Sequence, residues 1–338
     1  MIQAIINQLV SKQDLSDEQM TACMQLIMTG GASDAQIAGF LVALRMKGET
    51  VEEITAAAKV MRRLSAKVDV QGATLDTCGT GGDGAGIFNV STAVSFIAAA
   101  AGAKVAKHGN RSITSSSGSA DLLEVAGVNL DLTPEQVARA IEEIGVGFMF
   151  AVKHHGAMKH AIGPRKELAV RTIFNVLGPL TNPAGSEHQV LGVFDKDLVS
   201  PLAQVLKNLG SKHVLVVHAE DGLDELTLTG KTFVAELKHG EVTEYTIEPS
   251  QFGLATAPLT SMVVSSSEES LALIKAAFNG EAELAADMLA LNAGAAIYAA
   301  DLVSDIQAGI TLSQDLMASG QALEKMNEFI EFTQMVAV

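Results

Sequence analysis

Asp76-Thr77-Cys78-Gly79-Thr80-Gly81-Gly82-Asp83-Gly84-Ala85-Gly86 is the stretch on which the reading of this chain turns. It continues through Asn89-Val90-Ser91-Thr92 and, after an alanine-rich segment, reaches Lys107-His108-Gly109-Asn110-Arg111 and a run of small hydroxyl residues. Five glycines in the eight positions from 79 to 86 leave few side chains between solvent and the backbone amides. Glycine tolerates positive φ, so such a loop can turn its N–H groups inward as an anion-binding concavity. Residues 89–92 then enter an apolar helical segment, whose N-terminal amides and dipole favour phosphate. The stretch also satisfies G-x-G-x-x-G, the dinucleotide fingerprint. That pattern requires an acidic residue for the ribose about twenty positions on. Residues 93–106 contain no Asp or Glu, so a nicotinamide or flavin site is set aside.

Outward from this stretch, strands alternate with helices. Strands are expected at 74–77, 103–107, 147–151, 189–194 and 213–218, and a hairpin at 232–237 and 242–247. One intervening helix opens at Thr133-Pro134-Glu135-Gln136, with proline at its first position. Another helix is expected over 165–176, stopping before Gly178-Pro179, and Ser266 to Glu269 caps a later one. This alternation predicts an open, mostly parallel α/β sheet. Residues 1–67 read as helices alone, with capping boxes at Ser16 to Gln19, Ser33 to Gln36 and Thr50 to Glu53. The expected architecture is a small N-terminal helical bundle domain (1–70, joined by roughly 160–185 from mid-chain) beside a large α/β domain (71–338) with a mostly parallel central sheet. Lys238-His239-Gly240 repeats the tripeptide at 107–109, but between two extended segments it reads as a turn.

The 338 residues suffice for a substantial core. No apolar run approaches the ~20 residues that span a bilayer, and the first ten residues show no secretion signal. Cys23 and Cys78 make neither a disulfide framework nor a metal-ligand spacing. A cytoplasmic protein with no membrane partner is expected. The formal net charge of −16 argues against nucleic acid as a partner. An anionic small molecule would need local help from a few Lys or Arg, backbone dipoles, or a divalent metal held by carboxylates.

Two further constellations bear chemistry. Asp221-Gly222-Leu223-Asp224-Glu225 follows the strand ending near His218. It reads either as a surface Asx turn or as a Mg²⁺ site that bridges to substrate phosphates. His154, His155 and His160 lie near one another in sequence but lack HExxH or a comparable zinc pattern. Arg165, in the same region, reads as a solvated helix-end residue or as a bidentate partner for a ligand carboxylate.

Taken together, these segments resemble the anthranilate phosphoribosyltransferase family. The likeness rests on 78–84 (Cys-Gly-Thr-Gly-Gly-Asp-Gly), 89–92, 107–112 (Lys-His-Gly-Asn-Arg-Ser), 171–183 (Arg-Thr-Ile-Phe-Asn-Val-Leu-Gly-Pro-Leu-Thr-Asn-Pro) and 221–225. The resemblance implies a helical domain and an α/β domain with the substrates in the cleft between them, and a homodimer built through the helical domain. It implies transfer of the phosphoribosyl group of phosphoribosyl pyrophosphate (PRPP) to the amine of anthranilate. The PRPP residues it implies are Gly79, Gly82, Asp83, Ile87, Asn89, Val90, Ser91, Thr92, Lys107, His108, Gly109, Asn110, Arg111, Ser112, Ile113, Thr114, Ser115 and Ser119. Gly79, Asn110 and Arg165 would hold anthranilate. Ser91, Asp224 and Glu225 would bind two Mg²⁺ ions, and His108 is a candidate proton acceptor. Ile87 and Ser116 depart from the family pattern, removing a phosphate hydroxyl and a cation respectively. A nucleoside phosphorylase of the same fold, needing no Mg²⁺, and a non-catalytic nucleic-acid-binding relative are the alternatives.

Overall fold

The computed structural model describes residues 1–112 and 117–336. Four helices open the chain: α1 (Ile2–Val10), α2 (Asp17–Met28), α3 (Asp34–Lys47) and α4 (Val51–Leu64). Each of α2 to α4 begins in the expected capping box, closed by Ser16 with Gln19, Ser33 with Gln36 and Thr50 with Glu53. These reciprocal bonds satisfy amides that the first turn leaves orphaned. Seven strands follow: β1 (Leu75–Gly79), β2 (Val105–Gly109), β3 (Val146–Phe150), β4 (His188–Gly192), β5 (His213–Ala219), β6 (Thr232–Lys238) and β7 (Glu241–Ile247). They form one sheet in the order β3-β2-β1-β4-β5-β6-β7. The first five are parallel, and β6 and β7 add an antiparallel edge. His239 and Gly240 take φ 53° and 79°, so the repeated tripeptide is the hairpin turn its setting implied.

Period-two alternation assigns the two sheet faces. Val190, Leu215 and Val217 join one core with α5 (Val90–Ala100) and the C-terminal helices. Leu191, Val214 and Val216 join a second core with α1–α4 and the helix Val199–Asn208. The result is a three-layer α/β/α arrangement with a dry core on each face. Mid-chain residues Ala161, Ile173, Phe174 and Leu177 also enter the second core, beside the bundle helices.

The single helix expected over 165–176 is instead two, Lys159–Leu168 and Phe174–Leu177. Pro164 within the first removes an amide from its ladder. Ala169 then turns left-handed at φ 49° and closes the helix by donating its N–H to Arg165 O. Asn175 Oδ1 accepts from Thr172 N at 2.9 Å, a local side-chain bond that competes with helix continuation.

Candidate active site

Strand order fixes where a ligand can enter. From β1 the chain proceeds outward to β2 and β3, then crosses back to lay β4 on the other side of β1. The C-terminal ends of β1 and β4 are therefore the topological switch point, where open α/β sheets form their crevice. Two glycines meet there. Gly79 ends β1, Gly192 ends β4, and they are register partners. Asp224 packs over both: a Cβ on Gly79 would lie 2.3 Å from Asp224 Oδ2, and one on Gly192 only 1.5 Å from Asp224 O. At Gly192 the obstacle is main chain, so no side chain fits; at Gly79 it is the Asp224 carboxylate, which would have to turn away from Gly81 N to admit one.

The glycine-rich loop rises from this floor. Gly81 and Gly82 take φ 67° and 82°, a region that L side chains enter only with strain. Gly81 N donates to Asp224 Oδ2 at 2.6 Å, and Gly82 O accepts from Arg171 Nη2. Arg171 also lies over the Phe194 ring at 4.0 Å, while its own carbonyl accepts from Arg45 of α3. The helical bundle and the loop are thus joined through one arginine. Ile87 forms an antiparallel bridge with Val263, which fixes the far end of the loop.

The N-terminus of α5 faces the acidic pair. Asn89 is its N-cap residue but makes no cap bond with its side chain, which instead binds Ser117 and Ser270. Ser91 N donates to Glu225 Oε1 at 3.2 Å, so one amide expected to be free is already paired. Val90 is buried in the core and offers the site its backbone alone. Thr92 Oγ1 is buried with no hydrogen-bond partner among the described residues, a vacancy that a phosphate oxygen would satisfy.

Lys107, 2 % exposed, runs beneath these groups and donates from Nζ to Thr77 O and, at 3.3 Å, to Ser91 Oγ. Burial pulls its ammonium pKa down, while Asp76, Cys78 and Glu225 pull it back up. Asp76 is fully buried; burial raises its pKa against the opposing pull of Lys107, Asn182 and the His108 amide. Its oxygens accept from His108 N at 3.1 Å and Asn182 Nδ2 at 2.8 Å.

Asp224 and Glu225 are buried, mutually crowded carboxylates. Burial, then the neighbouring Asp83, pushes Asp224 up to about 7. Burial, then Asp224, pushes Glu225 up to about 8. A divalent cation reverses both effects, and oxygen donors beside a ligand crevice suit Mg²⁺. Asp221, by contrast, accepts from Leu223 N, Thr227 Oγ1 and Thr229 Oγ1. Asp221 makes the Asx turn, and that turn places Asp224 and Glu225 at the ends of β1 and β4, where the metal reading needs them.

Beyond β2, residues 109–112 fold back onto the helix Ser119–Ala126. A Cβ on Gly118 would strike Ser112 N at 2.3 Å, so the approach depends on glycine. Asp121 accepts from Ser112 N and Gly118 N and pairs with Arg111 at 2.9 Å. Arg111 is held on Asp121 and Glu124 rather than aimed at the crevice. Asn110 is exposed and accepts from Arg111 N, and Ser119 begins the helix. Ile113, Thr114, Ser115 and Ser116 lie outside the described residues. His108 Nε2 is 3.2 Å from His155 Nε2; burial, then His155, holds His108 well below the usual imidazole range. Burial brings His155 down to about 4.

Arg165 stacks over Phe174 at 5.1 Å and has no ion-pair partner among the described residues. Burial lowers its pKa without abolishing its charge. His160 lies against Gly30 and does not join His154 and His155 in a metal cluster. Sequence reasoning assigned no role to Asp76, Asp121, Arg171, Asn182, Gly192 or Ser270. Asp76 and Arg171 each open a quoted motif and Asn182 lies within one, a signal in the sequence; Asp121, Gly192 and Ser270 act through contacts across more than one element.

Comparison with known proteins follows this geometry. Residues 3–65 match the glycosyl transferase family helical bundle domain, and residues 71–323 match the same family's a/b domain. The anthranilate phosphoribosyltransferase of Hahella chejuensis is 59% identical over 337 residues, covering 98% of this chain and 97% of the relative. That of Cellvibrio japonicus is 57% identical, with 98% of each chain covered. A solved anthranilate phosphoribosyltransferase from Thermus thermophilus superposes with a TM-score of 0.92 at 43% identity, covering 97% of this chain and 99% of that one. The Saccharomyces cerevisiae enzyme, solved in complex with PRPP and Mg, gives 0.90 at 28% identity, with 99% and 98% covered. Over nearly its whole length, the chain belongs to the anthranilate phosphoribosyltransferase family of glycosyl transferases.

Proposed function

We propose that this chain transfers the 5-phosphoribosyl group of PRPP to the amine of anthranilate, releasing pyrophosphate, in a Mg²⁺-dependent reaction of tryptophan biosynthesis. The observation that carries the reading is the convergence on one switch point of the glycine-rich loop, the α5 N-terminus, Lys107 and the Asp224–Glu225 pair. A yeast relative solved with PRPP and Mg, and the same enzyme solved with 4-fluoroanthranilate, support the choice of donor and acceptor.

The donor set fits magnesium. Ser91, Asp224 and Glu225 would hold up to two ions; such ions keep several waters and substrate oxygens, so a closed protein cage is not required. Bound Mg²⁺ supplies Lewis-acid stabilisation of the charge that develops on pyrophosphate. The amides of Gly79, Gly82 and Asp83 would receive phosphate oxygens. At the α5 N-terminus Asn89 N, Val90 N and Ser91 N already donate to Ser270 Oγ, Phe88 O and Glu225 Oε1, so residues 89–92 would contribute the helix dipole and the Thr92 hydroxyl, which gains the acceptor it lacks. Lys107 contributes a fixed positive charge in a dry setting, where it acts more strongly than in water. Arg165, which pairs with no carboxylate among the described residues, is available to pair with the carboxylate of anthranilate. Asn110 and the Gly79 backbone orient the acceptor. An aryl amine is already nucleophilic, so positioning rather than a strong base supplies most of the rate. His108, the candidate proton acceptor, is buried with Nε2 against His155 and held well below the usual imidazole range, which makes it a weak base for the amine proton.

The bundle (1–70 with roughly 160–185) and the α/β part (71–338) are the two walls of the cleft, and a homodimer forms through the bundle. Among the described residues no helix is long and apolar enough to cross a membrane, which fits a cytoplasmic enzyme. The decisive experiment is the loss of anthranilate fluorescence on mixing with PRPP, with and without Mg²⁺. Turnover that ignores Mg²⁺, or phosphorolysis of a nucleoside in its place, would overturn the proposal.

A further inference from the structure

The far end of the sheet carries a second cluster that the transferase reaction does not use. His188 and His213 open β4 and β5, are register partners, and are both buried. His213 Nδ1 lies 2.7 Å from Asp301 Oδ1. His188 Nδ1 lies 2.6 Å from Ala299 O and 3.9 Å from Asp301 Oδ2. One donor atom from each of His188, His213 and Asp301 falls within 4.8 Å of the others. Asp301 reaches this position in the left-handed region, at φ 57°, just past the helix Glu283–Ala299.

We propose that His188, His213 and Asp301, with the carbonyl of Ala299, form a binding site for a divalent transition metal, zinc by its ligand chemistry. Two imidazoles, a carboxylate and a carbonyl suit a borderline ion and not Mg²⁺, which takes oxygen donors. Tetrahedral zinc with bonds of about 2.0–2.2 Å places its ligands roughly 3.3 Å apart, so the contacts at 2.6 and 2.7 Å must open and those between 3.9 and 4.8 Å must close, by about 0.6 to 1.5 Å. The surrounding groups match as well. His213 Nε2 lies 3.0 Å from Glu236 Oε1, and Glu236 in turn accepts from Tyr298 at 2.8 Å and Tyr245 at 2.9 Å. A carboxylate on the outer nitrogen is the arrangement that orients metal-ligating histidines.

The plain alternative is that a proton alone occupies Nδ1 and His213 bridges two carboxylates. An ionised carboxylate only accepts, so either an N–H proton or a metal ion lies between His213 Nδ1 and Asp301, and titration with metal separates the two. A cavity of about 420 Å³ lined by His213, Asp301, Lys207, Lys212 and Lys238 gives access from solvent. Its lysines oppose a bare cation; Lys238 is drawn off to Tyr298, and the Asp301 and Glu236 carboxylates offset the other two. Bound metal would clamp the starts of two central strands to the end of the helix Glu283–Ala299.

Calorimetric titration of Zn²⁺ into the full chain, with excess Mg²⁺ present to fill the oxygen sites, tests the assignment. One Zn²⁺ per chain is expected. Asp301→Gly, which accepts the left-handed backbone, should weaken it at least about tenfold, and Glu236→Gln by about 10- to 100-fold. His188→Gln provides a second variant should Asp301→Gly fold poorly. Co²⁺ added to the wild-type chain should show intense visible absorption of tetrahedral nitrogen ligation. No Zn²⁺ uptake, uptake abolished by Mg²⁺, or equal uptake by the ligand variants would overturn the proposal.

Discussion

Gly192→Ala puts the geometry of the crevice to a single-methyl test. The added Cβ would lie 1.5 Å from Asp224 O and 2.3 Å from Asp224 C. Carbon and carbonyl oxygen approach no closer than about 3.3 Å, so roughly 2 Å of displacement must be found. Both obstacles are main-chain atoms, and no rotamer change removes them. β4 is paired on both sides, with Gly192 opposite Gly79 and Val217, so the loop carrying Asp224 and Glu225 must yield instead. Overpacking of this kind costs about 1–3 kcal/mol in stability. Misplacement of about 1 Å in a catalytic constellation costs about 100-fold in rate. We therefore expect kcat/KM to fall at least about 100-fold and the Mg²⁺ concentration for half-maximal rate to rise, with secondary structure retained by circular dichroism. Gly39→Ala in α3, whose Cβ meets only Ile6 Cδ1 at 3.5 Å, is the matched control and should leave activity unchanged. A folded Gly192→Ala enzyme within threefold of wild-type kcat would refute the link between this glycine pair and the acidic residues.

The other expectations concern charge. Arg165→Ala should raise the KM for anthranilate about 10- to 100-fold while moving the KM for PRPP far less; equal effects in initial-rate assays would remove its assigned role. Asp224→Asn with Glu225→Gln should lower kcat and raise the Mg²⁺ requirement, and unchanged Mg²⁺ dependence would place the metal elsewhere. In the metal-free protein both carboxyls titrate above their unfolded values of 3.8 and 4.5. The native state then binds more protons than the unfolded state, so stability falls as pH rises through the window up to about 7 for Asp224 and about 8 for Glu225. Saturating Mg²⁺ should flatten that slope in thermal melts; a metal-free slope of the opposite sign would contradict the burial of the pair. Asn182→Ala removes donors to Asp76 Oδ2 and Ala106 O, both at 2.8 Å. Leaving these buried acceptors unpaired should cost about 1–3 kcal/mol in urea unfolding, and a loss under about 0.5 kcal/mol would show that water replaces the amide.

Much of this architecture was legible because its determinants are local. Capping boxes at Ser16, Ser33 and Thr50 lie within four residues of the amides they satisfy, and the glycine run around Gly81 and Gly82 declares its left-handed backbone by composition. Asp221 through Glu225 could be placed at a strand end without coordinates. What escaped was either non-local or against propensity. Ala169 ends a helix in a left-handed conformation that alanine disfavours, so nothing in its identity marks the break. Gly192 carries no local signal, since its requirement is set by Asp224, far along the chain. The resemblance implies Arg111 as a PRPP residue, and only the structure shows that Asp121 and Glu124, on the following helix, hold its guanidinium.

The helical layer is interleaved rather than appended. Ala161, Ile173 and Phe174 arrive from mid-chain to fill gaps among helices made in the first sixty or so residues. Exchange of that leading portion between distant homologues as a cassette would therefore bring in surfaces matched to a foreign middle segment. Viable chimeras should need two crossovers that carry both stretches together, and a nascent chain emerging from the ribosome must wait for its midpoint before the first helices find their full complement of neighbours.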